Sequence, residues 1–250
     1  MRMRCALVMT LLLSGCGADV PVTEDSHQVD VVERMTQEDW DSEVKKRLKD
    51  FEEPRLSTRQ KQFSHRFSLR GDFGRKFAYL AKTDSKLSRA ISTKAHGLLK
   101  ICPRYALLDA EDKTRVWTSI MDAIAFGETA YRPELTYLEK FEDASGNRVV
   151  STGLFQLSQM SARNHGASCS EATTEKLKDA GFNVMCAYRV MTNQILRTHT
   201  LYFEDRRFYY WSILSRGRNP EGFGRFMGRL SQLLRDSERW PQSCGLPERF

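Results

Sequence analysis

Several features that would assign a function at once are missing from this chain of 250 residues. After residue 16 no apolar run is long enough to cross a bilayer as a helix, and there is no internal repeat or low-complexity tract. No basic stretch is interleaved with aromatic residues in a recognisable module, which argues against nucleic acid as a partner. The sequence contains no common zinc-binding spacing, so we predict neither a metal nor a cofactor.

The N-terminus carries the strongest signal that is present. Arg2 and Arg4 precede an apolar stretch at 6–13, which is too short to span a membrane in a mature protein. The stretch leads into Leu13-Ser14-Gly15-Cys16, which resembles the lipobox of bacterial lipoproteins. The resemblance implies cleavage before Cys16 and lipid anchoring to a bacterial membrane, facing the periplasm or the cell exterior. An ordinary signal peptide that happens to precede a cysteine is the alternative, and both predict export.

Helical periodicity and proline positions divide the rest of the chain. The predicted divisions are a signal peptide at 1–15, a tether at 16–34, an N-terminal helical extension at 35–100 and a further domain at 101–250. Within the extension we expect a charged helix at about 37–51, a loop at 55–75 and a second helix at about 76–99.

Four cysteines remain after the N-terminal two, namely Cys102, Cys169, Cys186 and Cys244. In an exported chain this number predicts two disulfides, for which three pairings exist. We favour Cys169–Cys186, joining a loop to the following helix, and Cys102–Cys244, joining the two ends of the domain. A metal site built on His165, Cys169 and Cys186 is the less favoured alternative.

One helix stands out in the second domain. Asp109 is a suitable N-cap, and acidic residues fill the first turn, where the helix dipole favours them. Val116, Ile120 and Ile124 follow at steps of four, and the next position along this apolar row is Glu128.

Beyond Pro133, residues 134–157 predict a small β region with a turn at Ser145-Gly146-Asn147 and strands at 148–150 and 153–157. Helices are expected again at about 171–179, 183–199, 203–214 and 224–235. The predicted fold class is α+β, mostly α, with a small β-hairpin region beside the buried helix.

A glutamate on the apolar row of a helix is a candidate for a general acid. Burial disfavours the charged carboxylate and raises its pKa, and the negative end of the helix dipole raises it further. A carboxyl group that is protonated near neutral pH can donate a proton to a glycosidic oxygen. A frayed helix end with Glu128 in water is the alternative.

Two segments around this glutamate resemble a known family. Gly127-Glu128-Thr129-Ala130-Tyr131-Arg132-Pro133 and the later Ser151-Thr152-Gly153-Leu154-Phe155-Gln156-Leu157-Ser158 are similar to the lytic transglycosylases and goose-type lysozymes of the lysozyme superfamily. The resemblance covers about residues 105–215. It implies a lysozyme-like fold and cleavage of the β-1,4 bond between MurNAc and GlcNAc, or deacetylated sugars, in peptidoglycan, with Glu128 as the catalytic acid.

The same resemblance nominates residues that bind the glycan. Gly153, Leu154 and Gln156 match the family's Gly-Leu-x-Gln strand, and Tyr210 is a counterpart of the tyrosine near the acid, although the family's Ala-Tyr-Asn-Ala-Gly motif is absent. Ser151 and Thr152 are candidates for hydrogen bonds to the sugar, with bonds to backbone alone as the alternative.

The product depends on whether a second carboxylate helps. A carboxylate that holds a water gives hydrolysis, whereas attack by the muramyl 6-hydroxyl gives a 1,6-anhydro sugar with one glutamate serving as acid and base. Four acidic residues follow Glu128, and among them we favour Asp143; the others are Glu134, Glu139 and Glu142. This acidic cluster also suggests a preference for deacetylated, cationic glycan.

Charge agrees with a peptidoglycan partner. Without Arg2 and Arg4 the formal charge falls from +7 to +5, which favours encounter with the carboxylates of stem peptides. We expect a monomer. A lipoprotein that binds peptidoglycan without cutting it, or one that binds another envelope protein, is the rival class, and neither needs a desolvated glutamate.

Overall fold

The computed structural model describes residues 56–202 and 210–244. The predicted signal peptide with Cys16, the tether, the helix at 37–51 and most of the helix at 203–214 lie outside the described residues. The described part is mainly helical with one three-stranded antiparallel sheet, so the predicted α+β, mostly α class is confirmed. No helix in these described ranges is both long and apolar enough to cross a membrane.

The elements follow one another along the chain with short connections. They are α1 (Thr58–Arg66), α2 (Asp72–Thr83), α3 (Ser85–Ser92), α4 (Leu98–Ile101), α5 (Ala110–Thr129), β1 (Thr136–Glu142), β2 (Arg148–Thr152), β3 (Leu157–Ser158), α6 (Gln159–Asn164), α7 (Thr174–Lys178), α8 (Ala180–Thr198) and α9 (Pro220–Leu234). The predicted later helices at 171–179, 183–199 and 224–235 correspond to α7, α8 and α9.

The segment before α5 contains more helix breaks than its sequence indicated. α1 occupies the predicted loop at 55–75: Ser57 and Gln60 form a reciprocal capping box at its start, but the helix has a single buried residue, Ser64, and so no apolar stripe. The predicted helix at 76–99 is interrupted at Asp84, whose carboxylate caps α3 by accepting from the amides of Lys86 and Leu87.

These early helices belong to the same packed unit as the later ones. The ring of Phe77 on α2 lies 4.6 Å from that of Tyr188 on α8, and Ser64 of α1 donates a hydrogen bond to Asp122 of α5. Residues 56–100 therefore contribute side chains to the core that α5 and α8 build, and the predicted division at residue 101 stays a prediction.

The centre of the unit is α5. Asp109 caps it by accepting from the amide of Asp112 at 2.8 Å, as predicted, and Val116, Ile120 and Ile124 are fully buried. Its 20 residues make a rod of about 30 Å, which ends one residue after Glu128.

The sheet lies beyond the C-terminal end of α5. β1 and β2 form a hairpin that pairs Tyr137 with Ser151 and Leu138 with Val150. The predicted strand at 153–157 is wrong for most of its length, since residues 153–156 form a turn and only Leu157–Ser158 pairs as β3. The reason is the backbone: Gly153 and Gln156 both have positive φ, which no strand accommodates.

Two disulfides cross-link the described part of the chain, and both predicted pairings are confirmed. Cys102–Cys244 joins residues 142 apart in sequence, and Cys169–Cys186 joins residues 17 apart. Because Cys169 and Cys186 are bonded to each other, the alternative metal site on these two thiolates is excluded. Two disulfides indicate an exported protein.

Candidate active site

Glu128 lies where the backbone leaves α5 through a strained turn. Ala130 (φ 50°) and Tyr131 (φ 63°) both occupy the left-handed region, which is unfavourable for residues with a β-carbon. Side chains hold this turn in place: the Tyr131 hydroxyl donates to the Asp122 carboxylate, and Gln60 Nε2 donates to the Ala130 carbonyl at 3.3 Å. The position of Glu128 is therefore fixed by contacts from α1 and from the helix itself.

Two further contacts bring neighbouring elements to this helix end. Thr129 Oγ1 donates to the Leu154 carbonyl at 3.1 Å, which ties the helix to the turn at 153–156. A β-carbon on Gly127 would lie 2.8 Å from Ile213 Cδ1 and 3.8 Å from Phe226 Cα. Glycine thus leaves room for the end of the Ile213 side chain beside Glu128, whereas the distance to α9 is an ordinary van der Waals contact.

The Glu128 carboxyl group is largely removed from water, and burial changes its protonation. It is only partly exposed, and burial raises its pKa to about 8, with a further rise from the negative charge of Glu139 and an opposing effect from the positive charge of Arg225. Among the described residues none forms a hydrogen bond or a close ion pair with it. At neutral pH the group is therefore mostly protonated and able to donate a proton.

Glu139 on β1 is a second carboxylate near the acid. Its half-buried side chain accepts a hydrogen bond of 2.6 Å from Ser151 Oγ on the neighbouring strand. Tyr137 pairs directly with Ser151 across the hairpin, so its side chain lies on the same face as the Ser151 hydroxyl, and it is 51% exposed. This face of the hairpin thus combines an oriented carboxylate with an accessible aromatic ring.

The turn at 153–156 is built on an amide clamp. Asn183 on α8 is fully buried, donates to the carbonyls of Thr152 and Leu177 at 3.0 Å each, and accepts from the Phe155 amide at 2.9 Å. A β-carbon on Gly153 (φ 81°) would lie 2.2 Å from the Leu177 carbonyl oxygen. Glycine is required at this position by space as well as by conformation.

The nominated glycan-binding residues of this turn differ in their access. Leu154 and Thr152 are fully buried, so their contribution is to the shape of the turn. Gln156 is part-buried, and its Nε2 donates to the carbonyls of Gly153 and Leu135 at 2.9 and 3.2 Å. Both of its amide hydrogens are therefore committed to backbone carbonyls.

Tyr210 lies close to the acid in space, 82 residues later in sequence. Its hydroxyl oxygen accepts from the Ser158 amide at 3.2 Å. Burial raises the pKa of this phenol, and the charge of Glu128 raises it further. The next residue, Trp211, donates through Nε1 to the Phe155 carbonyl at 2.8 Å. This bond holds the segment at residues 210–211 against the turn at 153–156.

Asp143, the favoured second carboxylate from sequence, lies at the far end of the hairpin. Its Oδ1 accepts from the amides of Ser145 and Asn147 at 2.9 Å each, a turn-forming role that is common for aspartate. Glu139, and not Asp143, is the carboxylate whose negative charge acts on Glu128. Glu139 and Ser151 come together only when the hairpin forms, so the sequence alone did not separate Glu139 from the other three acidic residues.

Sequence reasoning gave no role to Asn183, Arg225 or Asp122. Each acts through contacts with elements distant in sequence, so no local pattern marks it. Within residues 56–202 and 210–244, no group of three or more histidine, cysteine or acidic side chains is arranged to hold a metal ion.

Comparisons with known proteins give a likeness of fold. No family model matches the chain, and no curated protein matches it. Solved structures of DslA, a Bdellovibrio protein, are similar: its wild-type form 2 has a TM-score of 0.56 at 22% identity, covering 72% of this chain and 91% of DslA. Two variants of DslA, each with one glutamate replaced by glutamine, have TM-scores of 0.55 at the same identity and coverage. At this identity the likeness establishes a shared fold.

Proposed function

We propose that this protein is a peptidoglycan-cleaving enzyme of the lysozyme superfamily that hydrolyses the β-1,4 bond between MurNAc and GlcNAc, or its deacetylated form. The observation that carries the proposal is a glutamate with a pKa of about 8, fixed at the end of a core helix beside a second, hydrogen-bonded carboxylate. No structural need explains a desolvated carboxyl group that has no hydrogen bond within residues 56–202 and 210–244, whereas a glycosidase needs a protonated acid.

Glu128 is the general acid in this proposal. Its protonated carboxyl group gives a proton to the glycosidic oxygen as the bond from that oxygen to the sugar carbon C1 breaks. Positive charge then develops on the ring, and the negative charge of Glu139 stabilises it. The exposed ring of Tyr137 offers a surface for a sugar beside the reacting bond, since glycan sites commonly combine aromatic faces with a few polar groups.

Glu139 completes a hydrolytic reaction. Its carboxylate, oriented by Ser151, accepts a proton from a water molecule whose oxygen bonds to C1, and the product is a reducing sugar. The two glutamates replaced in the DslA variants are eleven residues apart in that chain, and Glu128 and Glu139 are also eleven residues apart. The shared fold and the shared spacing support a paired role. Attack by the muramyl 6-hydroxyl, with Glu128 as both acid and base, would give the 1,6-anhydro product instead.

Cell location agrees with this substrate. The two disulfides indicate export, and peptidoglycan lies outside the cytoplasmic membrane. In our proposal Cys16 carries the lipid that holds the enzyme at the membrane surface beside the wall.

Mass spectrometry of the products from purified peptidoglycan tests the proposal. We expect soluble fragments with reducing ends from the wild type, none from Glu128→Gln, and strongly reduced release from Glu139→Gln. Asp143→Asn is the matched control on the same hairpin and should release fragments at the wild-type rate.

Each other outcome has a distinct meaning. Anhydro products from the wild type would replace hydrolysis by transglycosylation and leave Glu139 without a catalytic role. Equal turnover of acetylated and deacetylated glycan would remove the suggested preference for deacetylated substrate. Binding without release from either glycan would contradict an enzyme and favour a peptidoglycan-binding lipoprotein.

A further inference from the structure

A groove of about 770 Å³ lies between α2, α3 and the start of α5, away from the two glutamates. Its floor is apolar and made of small or branched side chains, which leave space between the helices. The floor residues are Leu69, Ala78, Ala81 and Ile91.

One wall of this groove is a row of side chains on a single face of α2. Arg75, Tyr79 and Lys82 follow at steps of four and three, so they point in the same direction. Lys113 adds a third cation from the first turn of α5. Tyr79 is 64% exposed, and its ring therefore lies open to a ligand between the two cations of its own helix.

The positive charge of this groove is not balanced by nearby acids. Arg75 donates to the backbone carbonyl of Arg70, and Lys113 lies over the ring of Tyr105, but none of the three cations pairs with an acidic side chain in the described residues. Glu111, on the rim, is instead paired with Arg115 at 2.6 Å. An apolar floor with unbalanced cations at its edge fits a ligand that carries carboxylates on a partly apolar backbone.

The groove is far from the acid. Glu111 and Glu128 lie at opposite ends of α5, 17 residues apart, which corresponds to about 26 Å along the helix. A ligand in the groove does not reach Glu128, so the groove is not a subsite of the reacting bond.

We propose that this groove binds the anionic stem peptides of peptidoglycan and holds the polymer while Glu128 and Glu139 cleave a glycan bond elsewhere on it. The inference rests on the proposed function, because it takes peptidoglycan as the substrate. Alanine and the acidic residues of stem peptides supply the methyl groups and carboxylates that match the floor and the cations. A second attachment to one polymer raises the effective concentration of its glycan at the active site without any new catalytic contact.

Sedimentation of the protein with insoluble peptidoglycan tests the groove apart from catalysis. All variants carry Glu128→Gln, so that cleavage does not change the amount of polymer. Arg75→Glu, Lys82→Glu and Lys113→Glu together reverse the groove's charge. The matched control reverses the same number of charges at exposed positions outside the groove, on α2, on α3 and just after α3: Lys76→Glu, Arg89→Glu and Lys94→Glu.

We expect the groove variant to bind at least about tenfold more weakly than the control, with near-ultraviolet circular dichroism unchanged. Glycan strands stripped of their stem peptides should bind both variants equally. Equal binding of intact peptidoglycan by both variants would overturn the proposal, and so would an equal loss on stripped glycan. Loss of binding to anionic lipid vesicles with binding to peptidoglycan intact would overturn it in favour of a membrane surface.

A result against the groove can be distinguished from a result against the proposed enzymatic function. With Glu128 restored, the groove variant should cleave short soluble fragments without stem peptides at the wild-type rate but release less from intact peptidoglycan. Absence of cleavage by the wild type on any substrate would contradict the proposed function, while the sedimentation result still reports on the groove alone.

Discussion

Asp122 and Glu128 lie six residues apart on one helix, and the pKa values of their carboxyl groups are shifted in opposite directions. Asp122 is fully buried and accepts from Arg239 at 2.7 Å, Arg229 at 3.1 Å and Ser64 at 2.6 Å. The two arginines and the hydrogen bonds outweigh its desolvation, and its pKa is lowered. Glu128 has no such partners in the described part of the chain, and burial raises its pKa to about 8.

The difference teaches that burial alone does not decide the protonation of a carboxyl group. Burial raises the pKa in both places, and the partners determine the sign of the net effect. The Asp122 cluster joins α1, α5, α9 and the segment around Arg239, so it fixes the helix that carries Glu128. Asp122 holds the helix in place, whereas Glu128 at its end has no ion-pair partner among the residues that the structure describes and is mostly protonated at neutral pH.

The largest expected effect comes from removing that proton. Glu128→Gln should lower the rate of fragment release from peptidoglycan by about a thousandfold, because general acid catalysis contributes effects of that order. The fold should be retained, since glutamine has the same shape and carries no charge to desolvate. Release at a wild-type rate by a folded variant would contradict the assignment.

Removing the charge of Asp122, by contrast, should lower the stability of the fold. Asp122→Asn leaves two buried arginines without a counter-charge, and we expect the free energy of unfolding to fall by about 3–5 kcal/mol in urea titrations. Asp72→Asn removes an aspartate from a pair with Arg66 that is largely at the surface and should cost about 0–1 kcal/mol. Similar small losses in both variants would show that the buried cluster is not coupled to folding.

The pH dependence of stability should have opposite signs for the two acids. Glu128 has a folded-state pKa of about 8 against 4.5 as its ordinary value, so its contribution is complete below pH 4.5 and is lost as the pH rises through 8. The lowered pKa of Asp122 gives a contribution that is lost only as the pH falls. In urea titrations, wild type should therefore become less stable relative to Glu128→Gln between pH 5 and pH 9. A stability gap that is independent of pH would contradict the raised pKa.

The smallest expected effect concerns the cation beside the acid. Arg225→Met removes the positive charge that lowers the pKa of Glu128, so the alkaline limb of kcat/KM should move to higher pH. Arg235→Met, just past the end of α9, is the matched control and should leave the limb where it is. A shift to lower pH would mean that Arg225 does not act on the acid through its charge.

Local signals in the sequence predicted the parts of the fold that depend on neighbours in the chain. The cap at Asp109 and the apolar row from Val116 to Ile124 located α5 and the position of Glu128 on it. Both disulfides were also predicted, since among the three possible pairings we favoured the one that joins a loop to the following helix and the two ends of the domain. The capping box of Ser57 and Gln60 was equally local, yet α1 was missed because that helix has no apolar stripe.

The remainder depends on contacts that no local pattern records. Asn183 is 30 residues from Gly153 in sequence, and only the folded chain shows that its amide shapes the turn at 153–156. Asp122 lies within an apolar helix with its arginines more than 100 residues away. Glu139 was among four acidic residues with similar local surroundings, and its hydrogen bond with Ser151 and its charge effect on Glu128 distinguish it only after the hairpin has formed.

A carboxyl carbon-13 NMR titration of the folded wild type tests the central claim most directly, with Glu128→Gln and Asp122→Asn used to assign the two signals. The account predicts that the Glu128 signal titrates near pH 8 and that Asp122 stays ionised at a pH where ordinary aspartates are already protonated, because its pKa is lowered. A Glu128 signal that titrates with the exposed glutamates near pH 4.5 would contradict it, because the proton needed for catalysis would then be absent at neutral pH.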